Sequence, residues 1–229
     1  MKKNVVIATI RSWNIEGYWR WNEPAGYKKH LVTNPDQLTD QWLKTINPEF
    51  IFFPHWSWII PENIYNKYEC VVFHTADLPR GRGGSPIQNL IIRGIYKTKV
   101  SALQVTGGLD EGPIYAKVPL DISKGSAQEI FQKNSIIVYK MISEILKKHP
   151  KPRPQKGKVL IFKRRKPSES LIPEGLSTRK LYDFIRMLDA DGYPRAYIET
   201  NGYILEFNTA AINNESVTAR VIIKPKKAK

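Results

Sequence analysis

Short apolar runs alternate with helical spacings along the first two thirds of this 229-residue chain. Residues 4–9 have the character of a strand. At Asn34-Pro35-Asp36-Gln37 a cap residue is followed by proline in the first turn and by glutamine three positions on, which predicts a helix start. Leu38, Trp42 and Ile46 then fall on one helical face. Residues 50–53 and 70–73 are apolar without interruption, the pattern of strands buried on both faces. Pro61 opens a short helix between them. Residues 99–105 and 114–120 predict two further strands with Gly107-Gly108 between them. This alternation predicts an α/β fold: an open, mostly parallel, Rossmann-like sheet with helices on both faces.

A long amphipathic helix comes next. Ser126 and Glu129 form a capping box, and Ile130, Phe131, Ile137, Met141, Ile145 and Leu146 make its apolar stripe. The helix runs into "KKHPKPRPQKG", residues 147–157, whose prolines and lysines have the composition of a linker. The predicted organisation is a catalytic α/β domain over 1–148, a linker over 149–158, and a small basic β-rich domain over 159–229. The last contains a strand candidate at 159–165, a helix at about 177–188, and two or three β segments.

Charge adds a partner class to this architecture. Lys and Arg outnumber Asp and Glu by 36 to 21, a net charge of +15. Residues 151–229 carry +9 of it and residues 1–150 only +6, so the smaller part is the more basic one. Such an excess points to an anionic partner. The single cysteine, Cys70, excludes an internal disulfide framework. No apolar run approaches the roughly 18 residues of a membrane span, and Met1-Lys2-Lys3 does not open a secretory signal. The expected location is the cytoplasm, without a membrane partner.

The stretch "FHTADLPRGRGGSPIQ", residues 73–88, does not read as ordinary packing. It puts His74 at the carboxyl end of a predicted strand, where ligands of open parallel sheets bind. A histidine there can donate to a developing oxyanion or move a proton near neutral pH. Such a group needs an orienting carboxylate, and Asp110 in the glycine-flanked "TGGLDEGPIY", residues 106–115, is the candidate. The "GRGG" turn lacks the Gly-Lys-Ser/Thr ending of a nucleotide P-loop. No Cys/His spacing indicates a metal. Lys163, Arg164, Arg165 and Lys166 form a basic run able to meet phosphates.

"FHTADLPRGRGGSPIQNLIIRG" followed by "VSALQVTGGLDEGPIYAKVPL" resembles the formyltransferases that use 10-formyltetrahydrofolate, the family acting on methionyl-tRNA, glycinamide ribonucleotide and amino sugars. The family pattern is a strand ending in Asn-x-His, a Pro-Ser-Leu-Leu-Pro stretch, Arg-Gly before Pro-Ile, and later a Gly-Leu-Asp-x-Gly loop. Upstream, "PEFIFFPHWSWIIPENIY" is similar to the family's strand and pteridine loop. Downstream, "LYDFIRMLDADGYPRAYI" is similar to the opening of the C-terminal β domain in the tRNA and sugar enzymes. The resemblance covers about residues 45–210.

Carried over residue by residue, the resemblance implies His74 as the catalytic histidine and Asp110 as its aspartate. It implies folate contacts at Trp56, Ser57, Trp58, Ile59 and Ile60, at Arg82 and Gly83, and at Gly108 and Leu109. The implied co-substrate is 10-formyltetrahydrofolate, with no metal. The acceptor is a primary amine on an anionic carrier: methionyl-tRNA, favoured by the basic C-terminal part, or a nucleotide-linked amino sugar, favoured by a compressed N-terminal segment. Two positions depart from the pattern. Val72 replaces the asparagine whose amide donates to the oxyanion, and Thr75-Ala76 replaces Pro-Ser. His55, at the end of the neighbouring strand, is the candidate substitute donor. A weakened, non-catalytic binding module and hydrolysis of the formyl-folate by water are the alternatives.

Overall fold

The computed structural model describes residues 2–226. Its strands and helices run in the order β1 (Lys3–Ala8), α1 (Ser12–Arg20), β2 (Tyr27–Val32), α2 (Asp40–Ile46), β3 (Pro48–Pro54), α3 (Glu62–Tyr65), β4 (Glu69–His74), β5 (Arg80–Gly83), α4 (Pro86–Ile91), β6 (Lys97–Gln104), β7 (Ile114–Asp121) and α5 (Ala127–Lys148). β8 (Leu160–Phe162), α6 (Thr178–Arg186), β9 (Ala196–Glu199), β10 (Tyr203–Ile212) and β11 (Val217–Pro225) follow. Two compact units emerge. The first comprises Met1–Gly83, Thr98–Leu120 and Gln132–Ile161, and the second Gly84–Lys97, Asp121–Phe131 and Phe162–Lys229.

The first unit is built on a six-stranded sheet in the order β2-β1-β3-β4-β6-β7. β1 pairs in parallel with β2 and β3, and β3 with β4, while β4 and β6 are antiparallel. The sheet is therefore mixed and mostly parallel. Its central strands are those legible as continuous apolar runs. Val5, Val6 and Ile7 of β1, Ile51 and Phe52 of β3 and Val71 of β4 are fully buried. β2 has no such signature, because Lys28, Lys29 and His30 interrupt its apolar character. It lies at the sheet edge, where charged residues are tolerated and discourage edge-to-edge pairing.

The Asn34 motif forms with a different outcome. Asn34 and Gln37 make the predicted capping box, but it closes a 3-10 turn over Pro35–Gln37. Leu38 leaves helical geometry with φ −87° and ψ 63°, so α2 starts only after Thr39, whose side chain accepts the Trp42 N–H. Leu38 and Leu43 are buried in one cluster with Val6, Ile51 and Phe53, and Trp42 and Ile46 pack against it. Helix α1 has no counterpart among the elements the apolar pattern predicts. The α5 side chains hold it: the Tyr139 hydroxyl donates to Asn14 O (2.6 Å), Ser135 Oγ to Trp13 O (3.0 Å), and Trp21 Nε1 donates to Ser143 Oγ (2.8 Å).

In the second unit β9, β10 and β11 form an antiparallel sheet. Ser177 caps α6 by accepting the Lys180 N–H. The first turn of α5 carries the predicted capping box, with Glu129 Oε2 accepting the Ser126 N–H (2.7 Å) and Ser126 Oγ the Glu129 N–H (3.2 Å). The basic strand expected at 159–165 shrinks to the three residues of β8, which pair with β5. Beyond it the chain is held otherwise, with Asn89 Nδ2 donating to Lys163 O and the Arg165 N–H to Ser85 Oγ. Arg186 is only 1% exposed. Its guanidinium bonds Asp183 (2.7 Å) and the carbonyls of Ile122 and Gly125.

Among the described residues no helix is long and apolar enough to cross a membrane.

Candidate active site

Strand β4 ends at His74, which pairs with Ser101 of β6. The His74 side chain is 9% exposed and that of Asp110 14%, with Nδ1 and Oδ2 3.4 Å apart. The spacing of 36 residues in sequence is thus closed in space. The other ring nitrogen, Nε2, lies 2.6 Å from Gly81 O. A carbonyl oxygen at that distance requires a proton on Nε2, since two acceptors would repel. In the neutral ring Nδ1 then has no proton to offer. The approach to Asp110 is fully favourable for the doubly protonated ring, which donates to both oxygens.

Backbone geometry explains how β5 reaches the histidine. Gly81 and Gly83 adopt φ of +95° and +98°, a region open to glycine at little cost. The Gly83 N–H, freed by that turn, donates to Asp110 Oδ2 at 2.9 Å. The opposite wall is the loop between β6 and β7. Asp110 itself is left-handed at φ +53°. Two residues on, a Cβ at Gly112 would lie 1.8 Å from Gln104 O, so only glycine lets the loop press against β6.

Arg82 points to this loop. It bonds Gln155 Oε1 through Nε (3.2 Å) and Nη2 (2.9 Å), and Nη1 lies 3.2 Å from Glu111 Oε1. Gln155 in turn donates to Asp110 O (2.8 Å) and Gly112 O (2.9 Å). Neither motif nor resemblance singles out Gln155. It lies in the Pro/Lys-rich stretch, whose composition carries no sign of a structural role.

The remaining candidates divide by environment. Val72 is half-buried and packs against the apolar cluster of Phe53 and Ile64, offering no donor. Phe53 pairs with Val72 and Pro54 with Phe73, where the pairing ends; His74 closes β4, and His55 begins the turn after β3. His55 has φ +55° and sets its ring edge-on to Trp13 at 5.4 Å between centroids. Trp56 packs on Phe53 (5.8 Å) and Trp58 (4.9 Å). Ser57 is exposed, and Trp58 and Ile59 are 45% and 95% exposed. Ile60 turns the other way, into the core. Gly108 is half-buried and Leu109 is 70% exposed.

Lys163, Arg164, Arg165 and Lys166 fall in the second unit. Lys163, Arg164 and Lys166 are exposed. Arg165 is engaged internally, over the Phe184 ring (5.7 Å) and bonded to Glu169 O, and burial pushes its guanidinium pKa down. Among the described residues no group of three or more His, Cys, Asp or Glu could hold a metal ion.

This arrangement, an imidazole between a carboxylate and a backbone carbonyl oxygen, suits acyl transfer through a tetrahedral oxyanion. Comparison with known proteins identifies a family. A family model described as formyl transferase matches residues 22–136, and one described as methionyl-tRNA formyltransferase, C-terminal domain, matches residues 167–224. The chain is 31% identical over 166 residues to a methionyl-tRNA formyltransferase of Thermodesulfovibrio yellowstonii, covering 68% of this chain and 54% of that protein. It therefore spans about half the length of the curated relative it matches. Among solved structures, a methionyl-tRNA formyltransferase from Clostridium thermocellum aligns with TM-score 0.94 and 49% identity over 98% of this chain and 100% of that one. HypX from Aquifex aeolicus, in complex with tetrahydrofolic acid, aligns with TM-score 0.71 at 18% identity, covering 90% of this chain and 37% of that one, a likeness of fold.

Proposed function

Because this chain belongs to the formyl transferase family, we propose that it moves a formyl group from 10-formyltetrahydrofolate to a primary amine, with methionyl-tRNA as the acceptor. The observation that carries this reading is His74 between Asp110 and Gly81 O. In that reading Gly81 O stands where the oxygen of the reacting carbonyl belongs. Once it is displaced, Nε2–H donates to the oxygen that gains negative charge as the amine nitrogen bonds to the formyl carbon. Asp110 steadies the charged imidazole and assists removal of the proton that the amine gives up. The bond between the formyl carbon and the folate nitrogen breaks, and that nitrogen takes a proton.

Bound folate would supply the activated formyl group. Exposed Trp58, Ile59 and Leu109 offer apolar surface that a flat heteroaromatic ring would remove from water. Trp56, Ser57, Gly108, Arg82 and Gly83 complete the proposed contacts, while Ile60 would act from beneath by fixing the loop.

His55 is the proposed second oxyanion donor in place of the amide missing at Val72, supported by its place one residue past β3, whose last paired residue, Pro54, lies opposite Phe73, the neighbour of His74. Losing one such donor costs roughly 2.7–4 kcal/mol in the barrier. His55→Ala should therefore lower kcat about a hundredfold with little change in folate affinity, and Val72→Asn should restore part of the loss. A variant that instead loses folate binding assigns His55 to the loop.

The basic C-terminal part and its family match favour tRNA. The test is release of tetrahydrofolate with methionyl-tRNA or a nucleotide-linked amino sugar as acceptor. Turnover with tRNA should fall steeply with salt. Alanine at Lys163, Arg164 and Lys166 should flatten the dependence, by roughly 0.9 in logarithmic slope for each phosphate no longer neutralised. Salt-insensitive turnover of the sugar would reassign the acceptor. Release without any amine would indicate hydrolysis, and folate binding without release a non-catalytic module.

A further inference from the structure

The side-chain amide of Gln155 has four hydrogen-bonding positions, and all four are used. Its two N–H groups go to the carbonyls on either side of Glu111, those of Asp110 (2.8 Å) and Gly112 (2.9 Å). Its oxygen takes two N–H groups of Arg82 (3.2 and 2.9 Å). The orientation of the amide is not arbitrary. Turned over, it would set its oxygen against two carbonyls and its NH2 against a guanidinium. One side chain from the stretch after α5 thus ties the Asp110 loop to β5.

Both tied segments touch His74. The loop supplies Asp110 Oδ2 to Nδ1, and β5 supplies Gly81 O to Nε2 and the Gly83 N–H to the same Asp110 oxygen. Arg82 lies between those two glycines and also pairs with Glu111 (3.2 Å). Asp110 holds a left-handed backbone, φ +53°, which costs a non-glycine residue energy, though Asp less than most, and which neighbouring bonds help to hold. The bond from Gln155 to its own carbonyl is one of these.

We propose that Gln155 is a positioning residue for the formyl-transfer centre, setting the Asp110 carboxylate at His74 by clamping the loop to β5. The catalytic part of this rests on the reading given under Proposed function. The clamp itself does not.

Two variants separate the donors of Gln155 from its bulk. Gln155→Ala removes both sets of bonds. Gln155→Glu keeps the size and the bond to Arg82 but turns the N–H donors into acceptors facing two carbonyls. Both should release the Gly83 N–H, so its native-state exchange should quicken at least about tenfold while the β3 and β4 amides and the urea midpoint stay in place. Both should lower kcat by about tenfold to a hundredfold, the scale for a misplaced reacting group, with the acceptor's KM nearly unchanged. In an Asp110→Asn background Gln155→Ala should cost nothing further, because the two act through one carboxylate. Unaltered Gly83 exchange, wild-type kcat in Gln155→Glu, or the full loss persisting in the Asp110→Asn background would each overturn the proposal. If the wild-type chain transfers no formyl group to either amine, the functional reading fails on its own, and Gly83 exchange still decides the clamp.

Discussion

Replacing His74 by alanine, or Asp110 by asparagine, is expected to lower the rate of formyl transfer by about a hundredfold or more, the scale for an acid–base group that also stabilises an oxyanion. The asparagine variant is the sharper of the two. It keeps an oxygen for the Gly83 N–H and changes no packing volume, yet it removes the negative charge 3.4 Å from Nδ1. A charged imidazole formed during reaction would then have no counter-charge. Urea unfolding should barely move, because the pair belongs to a loop and a strand end rather than to the buried cluster of Val6, Ile51 and Phe53. Steady-state turnover and equilibrium unfolding of both variants check this. Parallel losses of rate and stability would assign the pair to packing.

The largest loss of stability is expected at Asp183. Its carboxylate bonds the fully buried Arg186 (2.7 Å), Arg179 (3.1 Å) and the Tyr96 hydroxyl (2.6 Å). Arg186 also lies against the rings of Tyr96 (5.9 Å) and Tyr182 (5.4 Å), so it has no route to water. Removing one partner of a buried pair leaves an uncompensated charge and costs about 3–5 kcal/mol. Asp183→Ala should lower the urea midpoint accordingly. Arg186→Met in the same chain should recover much of the loss, since an apolar group of similar volume needs no partner. If the double variant is less stable than the single one, the carbonyls of Ile122 and Gly125 matter more to Arg186 than the carboxylate does.

What is legible in the sequence follows the physics of burial. β1, β3 and β4 are readable because central strands of a parallel sheet are apolar throughout. β2 is hidden by Lys28 and Lys29, which an edge position permits. The Asn34–Gln37 capping box is visible as a box, but local hydrogen bonding alone does not tell a 3-10 turn from an α-helix. Geometry decides that at Leu38. His74 and Asp110 pair with assurance only through resemblance, since no local pattern joins residues 36 positions apart. Gln155 is invisible for a different reason. Its four bonds reach two other chain segments, and its neighbours are the prolines and lysines expected of a connecting stretch. Ile60 cannot be told from Ile59 by type, though one lies in the core and the other in solvent.

The interleaving of the two units bears on how this fold can be recombined. Chain exchange between relatives works when one cut separates one folded piece from another. Here a cut at the end of α5 would leave Gln155 and β8 with the wrong partner, stripping the clamp from the Asp110 loop. A cut after Ile161 keeps Gln155 and the first two residues of β8, but two of the three segments of the second unit, Gly84–Lys97 and Asp121–Phe131, lie upstream of it. A chimera with a single junction therefore inherits a second unit of mixed parentage. Faithful transfer of the second unit would need its three segments exchanged together.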